Sequence, residues 1–343
     1  MGRRELVRSL AGLCAALAGA GCPSTRAPQT ATAAGLSGKV ALWSWFDLPD
    51  EPRSRELSGI AWDDATRTLW AVQDESANIV PILPNADLTA WGFGPTITLR
   101  MSFPLDLEAI VVTPDGFIVA SEKGPRILEV DREGKLRRDL PLPEHFEKAR
   151  DNKSLESLTM SPDGRWLFTT TEEALSCDGA RATTKAGTRV RILRMPRGEG
   201  DTSEHTYTTD PSPHETGDYG IADMCALSAV EVLVLERGWA HGYGNTIRVY
   251  RAHLDDPKTS CLAVPTLDAS SPTMAKELLV DLGKLPTHGL PPPRQAQSSP
   301  LLDNFEGLAL GPRLRDGRQS LILVSDDNGR SDQFARIVVL AIG

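Results

Sequence analysis

Four carboxylates recur at one place in a repeated pattern: Glu108, Glu156, Asp223 and Glu306 each stand near the start of a short apolar segment. A second set ends the apolar segment that follows: Asp74, Glu75, Glu122, Glu172, Glu173, Glu236, Asp326 and Asp327. Carboxylates gathered in one concave place repel one another unless a cation or bound water separates them. Hard cations such as calcium take roughly six to eight oxygen ligands, which such a set can supply, so calcium is the expected cofactor. Lys123, Lys153 and Arg237 lie beside these acids and suit an anionic substrate group, the guanidinium being the better fork for phosphate. Ser58 takes the acid position in the first repeat, Asn152 and Asn304 precede two of the acids, and Asn328 follows Asp326-Asp327. Each of these also has a structural use. An inner acid can accept backbone N–H groups of a neighbouring element, and asparagines cap turns.

The elements that position these groups form an internal repeat. Five units pair a short strand carrying a polar or acidic residue with an apolar strand ending in acid. They run from Leu57 to Glu75, Asp106 to Glu122, Leu155 to Glu172, Ile221 to Arg237 and Asn304 to Asp327. Pro114-Asp115-Gly116 and Pro162-Asp163-Gly164 are hairpin turns in which glycine supplies a positive φ. Alternating strands follow each pair, as at Thr96 to Met101, Arg126 to Asp131, Val190 to Met195 and Thr246 to Arg251. Four strands per unit, without long amphipathic helices, predict an all-β chain: a β-propeller of five four-stranded blades, with six as the alternative. The last unit lacks a fourth strand, and Val40 to Phe46 is a strand without a unit, so joining the two closes the ring. Residues 255–300 read as an insertion holding one strand, Lys276 to Asp281. In a blade of this kind the innermost strand begins where the second strand ends, which brings both acid sets to one face of the channel.

Composition narrows the partners. The chain has 343 residues, 40% hydrophobic and 24% charged, enough for one large all-β domain spanning 39–343. Its net charge is −9, and without the first 21 residues it is about −11, with no lysine/arginine run, which argues against a nucleic-acid groove. A small molecule and a monomeric state are expected. No Gly-x-Ser-x-Gly elbow or phosphate-cradling GxxxxGK[ST] loop occurs, and the six histidines show no ligand spacing. Cys177, Cys225 and Cys261 fit either one disulfide with an odd thiol or three free thiols.

The N-terminus reads as a targeting segment, residues 1–22, followed by a flexible linker over 23–38. Arg3, Arg4 and Arg8 make a basic stretch, and Ser9 to Ala20 is apolar but too short to span a membrane. Ala18-Gly19-Ala20-Gly21-Cys22 resembles a bacterial lipobox, with Cys22 the lipidated residue, although Gly19 replaces the usual leucine. The expected location is periplasmic or outer-membrane, with a lipid anchor as the sole membrane contact. Plain secretion is the alternative.

Taken as an ordered set, Leu57-Ser58-Gly59-Ile60, Asp106-Leu107-Glu108-Ala109-Ile110, Asn152 to Leu158, Gly220 to Asp223, Leu233 to Arg237, Gly244-Asn245, Asn304 to Ala309 and Val324 to Asn328 resemble the phytase-like, "esterase-like activity" family. The resemblance implies an exported bacterial β-propeller hydrolysing phosphate or carboxylic esters. β-Propeller phytases hold calcium with carboxylates to bind phosphates and activate water. Carried onto this chain, the likeness gives a metal-dependent phosphoric-ester hydrolase. Glu108, Glu156, Asp223 and Glu306 are the inner metal ligands, and Glu75, Glu122, Glu172, Glu236, Asp326 and Asp327 the outer ones. Glu156, Glu306, Arg237 and Lys153 act on the ester, and Ser58, Asn152, Asn304, Lys123 and Asn328 bind substrate. Two places depart from the family wording: Ser157 follows Glu156 where glycine is usual, and Gly329-Arg330 replaces an aromatic and asparagine. The competing reading is a non-catalytic propeller that binds a ligand or protein through the same mouth; a carboxylesterase lacks an evident nucleophile.

Overall fold

Turn chemistry cuts the chain into strands before any packing is considered. At Gly164 the backbone has φ of 71°, open to glycine at little cost. Gly116 is used differently from the sequence expectation. It has no positive φ and opens a strand where a Cβ would meet the Val130 carbonyl oxygen at 2.0 Å. A computed structural model describes residues 38–343 apart from His288. The targeting segment, Cys22 and residues 23–37 of the linker lie outside the described residues.

Strand β1 (Val40–Asp47) precedes the first blade, which contains β2 (Leu57–Asp63), β3 (Thr68–Gln73), β4 (Asn78–Pro84) and β5 (Trp91–Phe93). A two-residue strand, β6 (Ile97–Thr98), also pairs with β4. Blade two is β7 (Leu107–Thr113), β8 (Gly116–Ser121), β9 (Arg126–Asp131) and β10 (Leu136–Leu140). Blade three is β11 (Leu155–Met160), β12 (Trp166–Thr171), β13 (Arg189–Pro196) and β14 (Ser203–Thr208). Blade four is β15 (Asp218–Ala226), β16 (Glu231–Ala240), β17 (Gly244–His253) and β18 (Lys276–Asp281). Blade five is β19 (Asn304–Arg313), β20 (Gln319–Asp326) and β21 (Arg336–Ile342), completed by β1.

The fold is therefore a five-bladed all-β propeller, and β18 is the one strand of the 255–300 insertion. Thr96 to Met101 is not a full third strand. That place belongs to β4, whose Pro81 and Pro84 read against a strand because proline lacks the ladder donor.

Each blade interface holds its own apolar cluster. Val72 meets Ile110 and Phe117 between blades one and two; Ala109 and Leu158 join two to three; Phe168 and Met224 join three to four. Leu235 and Leu308 join four to five. Ile60, Ala309 and Val339 join five back to one, which closes the ring. At roughly 25 cal/mol per Å² of apolar surface removed from water, these five seams are the main favourable term.

Closure rests on β1 as well. It pairs antiparallel with β21 from Val40↔Ile342 to Asp47↔Arg336. Arg336 is fully buried; its Nε donates to Asp47 Oδ1 at 2.5 Å and its Nη1 to the Pro300 carbonyl at 2.6 Å. A guanidinium this deep needs its carboxylate partner. Asp47→Asn should therefore lower stability by about 1–3 kcal/mol, read as a fall in the urea midpoint with an unchanged slope.

Candidate functional site

One backbone device repeats at the inner end of every blade. The register of the first strand against the second slips at a matching place in each blade: at Ser58-Gly59 in β2, Glu108 in β7, Glu156 in β11, Ala222 in β15 and Glu306 in β19, which slips again before Arg313. A bulge leaves its residue out of the ladder and re-aims the side chain. In three blades the re-aimed residue is a glutamate, and the three converge. Burial raises Glu108, with the charges of Glu306 and Glu122 adding to it against a bond from Ser58. Burial raises Glu156 well above the usual carboxylate range, reinforced by Glu172, Glu108 and Glu306 and opposed by Arg237.

Arg237, from β16, is the hub of this mouth. It donates through Nη1 to Glu306 Oε1 at 2.7 Å and to the Asn304 side-chain oxygen. Its Nη2 lies 3.7 Å from Glu156 and 3.9 Å from Glu172. Asn304 Nδ2 in turn donates to Glu306 Oε1 at 2.9 Å and to Asp326 Oδ2 at 3.4 Å. Lys153 donates to both oxygens of Glu172 at 2.9 Å. Burial works against the ammonium, yet Glu172 raises its pKa.

Next to this hub is a second cluster. Ligand oxygens of Asp106, Glu108 and Glu122 lie within 4.8 Å of one another. Each carboxylate has one oxygen engaged: Asp106 Oδ2 with Lys123 Nζ at 3.0 Å, Glu108 Oε2 with Ser58 Oγ at 2.8 Å, and Glu122 Oε1 with the Ser154 N–H at 2.7 Å. Among the described residues no partner takes the remaining oxygen of any of the three. Such half-engaged carboxylates fit a hard divalent cation, whose remaining positions water or substrate would fill.

Charge does not balance here. Asp74, Asp106, Glu108, Glu122, Glu156, Glu172, Glu306 and Asp326 share the mouth with three cations, Lys123, Lys153 and Arg237. Burial and mutual repulsion raise the carboxyl pKa values. Burial pushes Asp74 up to about 7, against a bond from the Glu75 N–H and helped by Glu56, Glu306 and Asp106. Burial likewise raises Glu122, Glu306 and Asp326.

Several sequence candidates are placed elsewhere. Asp223 follows the bulge residue of its blade, so its side chain points into the seam rather than the mouth. Its carboxylate accepts from the Met224 and Leu308 N–H groups at 2.7 Å, tying blade four to blade five. Glu236 sits on the opposite side of β16 from Arg237, fully buried, where it accepts from Tyr207, Tyr219, Lys276 and the Asp210 N–H. Glu173 pairs with Arg181 at 2.9 Å. Asp327 accepts from the Glu56 and Gly329 N–H groups, and Asn328, at φ of 48°, bonds Gln333 in the same loop. Asn152, at φ of 55°, shapes the turn before β11. Glu75 is exposed beside Glu56, whose carboxyl is raised by burial and then by Glu75 and Asp327.

Sequence reasoning missed Asp106 as a ligand candidate, although its spacing of two from Glu108 signals a shared face. Cys177, Cys225 and Cys261 are free thiols, and burial pushes Cys225 up to about 12 and Cys261 to about 11.

Ring and mouth together define a five-bladed β-propeller with a carboxylate-rich channel. The chain belongs to the phytase-like family described as "Esterase-like activity of phytase", which matches residues 52–329. Among curated proteins, none matches the sequence. Solved structures resemble it more loosely. A Lactobacillus plantarum protein is 16% identical with a TM-score of 0.37, covering 79% of this chain; the match spans 64% of that protein, less than two thirds of its length. A PQQ-bound aldose sugar dehydrogenase from Streptomyces coelicolor is 12% identical, with 90% of this chain and 99% of that one covered and a TM-score of 0.39. The calcium-binding regucalcin of Agrobacterium tumefaciens is 11% identical, covering 88% and 97%, with a TM-score of 0.37.

Two outcomes follow from the raised carboxyls and the seam. A carboxyl raised on folding binds more protons in the native state, so its stabilisation is present below the unfolded value and fades as pH rises through the folded one. Between pH 4 and pH 7, the interval from the ordinary 3.8 to about 7 for Asp74, the chain in chelator should lose stability as pH rises; thermal melts across that range check it. Asp223→Ala leaves two buried N–H groups without an acceptor and should cost about 1–3 kcal/mol while leaving cation affinity unchanged, as read by urea titration and calorimetry.

Proposed function

We propose that this chain is an exported, divalent-cation-assisted phosphoric-ester hydrolase that acts at the acidic channel mouth. The observation that carries the reading is the Asp106–Glu108–Glu122 cluster, its oxygens within 4.8 Å of one another and each carboxylate half engaged. Family membership supports the reading at the level of esterase-like chemistry. Calcium fits the all-oxygen donor set, and Asp106, Glu108 and Glu122 are the residues that would hold it. Bound there, the ion would supply Lewis acidity toward a phosphoryl oxygen and acidify a water.

The rest of the work falls to the chain's own groups. Arg237, oriented by Glu306 and Asn304, presents the guanidinium that binds a phosphate. Lys153, held by Glu172, adds a second positive charge. Glu156, raised by burial and neighbouring carboxylates and lying 3.7 Å from Arg237, is the carboxyl placed for proton transfer. Ser58 orients Glu108, and Asn304 orients Glu306. The apolar seams keep bulk water from the ring walls. Lipidation at Cys22 would tether the propeller to the envelope, the linker providing reach.

One observation favours a second reading. Arg237 and Lys153 are both engaged by carboxylates, so an anionic group must compete with Glu306 and Glu172. A binding propeller without turnover would keep this arrangement as a purely structural clasp.

The experiment is hydrolysis of p-nitrophenyl phosphate by the full chain with calcium and with chelator. Turnover should require calcium and should be lost in Glu156→Ala and Glu306→Ala. Glu108→Gln should weaken calcium binding by about tenfold or more by calorimetry. Turnover indifferent to chelator would overturn the reading, and saturable calcium binding without turnover would favour the binding propeller.

A further inference from the structure

Above the mouth, the β16–β17 hairpin carries an exposed aromatic residue, Trp239, at 42% exposure. A lone exposed aromatic is ordinary. The groups around this one are not. Along a strand, residues two apart share a face, so Trp239 stands on the Arg237 side of β16, about 7 Å further along. Its cross-strand neighbour on β15 is Asp218, whose Oδ2 lies 3.8 Å from Lys153 Nζ; the Trp239 row therefore borders the mouth. His241 meets the indole edge-on at 6.3 Å.

On the other side, Trp239 is paired with Asn245 of β17. Asn245 is 3% exposed, and among the described residues neither its side-chain oxygen nor its nitrogen has a partner. Its backbone N–H donates to Gln297 Oε1 at 2.7 Å, while Gln297 Nε2 and the neighbouring Gln295 Nε2 are also buried and unpaired. An unpaired polar atom in the interior forfeits its hydration without a replacement bond. One acceptor and three donors thus stand unpaired along the 295–297 segment and the strand beside the indole. An amide with donor and acceptor side by side matches adjacent ring hydroxyls, each of which both donates and accepts. An indole face matches the C–H face of the same ring.

We propose that the β16–β17 hairpin tip is a pyranose-binding subsite, with Trp239 as the stacking platform and the Asn245 and Gln297 amides as the hydroxyl readers. The inference goes beyond the hydrolase reading, because it concerns recognition of a neutral sugar ring and requires no turnover. It does place that ring about two strand residues from Arg237, where a phosphate on the sugar would reach the guanidinium.

The test titrates the full chain, in chelator, with methyl pyranosides of gluco, galacto and manno configuration. Calorimetry gives affinity, and saturation-transfer NMR of the sugar reports contact. At least one sugar should saturate in the millimolar range. Trp239→Ala should weaken it by about tenfold or more, and Trp239→Phe should recover part of the loss. Asn245→Ala should weaken binding while leaving the urea midpoint unchanged or raised, since it removes an unpaired amide. Saturation by none of the three sugars, or equal binding by Trp239→Ala, overturns the proposal. So does a lowered midpoint in Asn245→Ala, which would assign the amide to an ordered water only. Chelator silences calcium-dependent turnover, so failure of the hydrolase reading and failure of this one are separately visible.

Discussion

The arrangement of the mouth depends on how a closed ring handles buried like charge. Closure brings the inner ends of five blades together, and three of those ends carry a glutamate on a bulge. The mouth holds more carboxylates than cations, so the folded chain must neutralise some of them with protons, with a bound ion or with Arg237. Arg237 does this for Glu306 directly and for Glu156 and Glu172 at longer range. Burial and neighbouring charge raise the remaining carboxyls, Asp74, Glu108 and Asp326 among them. A divalent cation held at such carboxylates would compete with protons for them, which would link its affinity to pH.

Acids also build the scaffold around the mouth. Asp223 accepts the N–H of its neighbour Met224 and, across a seam, that of Leu308, and Asp303 accepts from Asn304 and Phe334, with burial pushing it up to about 6. Glu236 gathers two tyrosines, Lys276 and a backbone N–H between blades three and four. The same residue type serves as glue in the seams and as a site at the mouth. What separates the two roles is the surroundings: the seam acids Asp223, Asp303 and Glu236 have donors on both oxygens, while the mouth acids lie among one another.

Much of the architecture was legible in the residues. Recurring strand pairs gave five blades, and the unpaired strand at Val40 to Phe46 gave the closure that β1 supplies. Glu108, Glu156, Glu306, Arg237 and Lys153 were read from the repeat, and the structure brings all five together. The errors have local causes. Asp223 was aligned with the glutamates, whereas Ala222 holds the bulge, and a shift of one residue in a strand sends a side chain to the other face. Glu236 was read with the mouth set because it precedes Arg237, and alternation sends the two in opposite directions.

The sequence alone determined where most strands begin and end, since turn residues and period-two apolarity are local properties of the chain; β4, with its two prolines, is the exception. It also determined that carboxylates cluster at the inner blade ends, because those positions repeat. Which acids face one another was decided only by tertiary structure. Bulge placement and ring closure set those directions, and both depend on contacts between residues such as Ser58 and Glu108, or Arg237 and Glu306, that lie far apart in the chain. The unpaired Asn245 amide beside Trp239 belongs to the same category: nothing in the sequence of a single asparagine tells whether the fold will give it a partner.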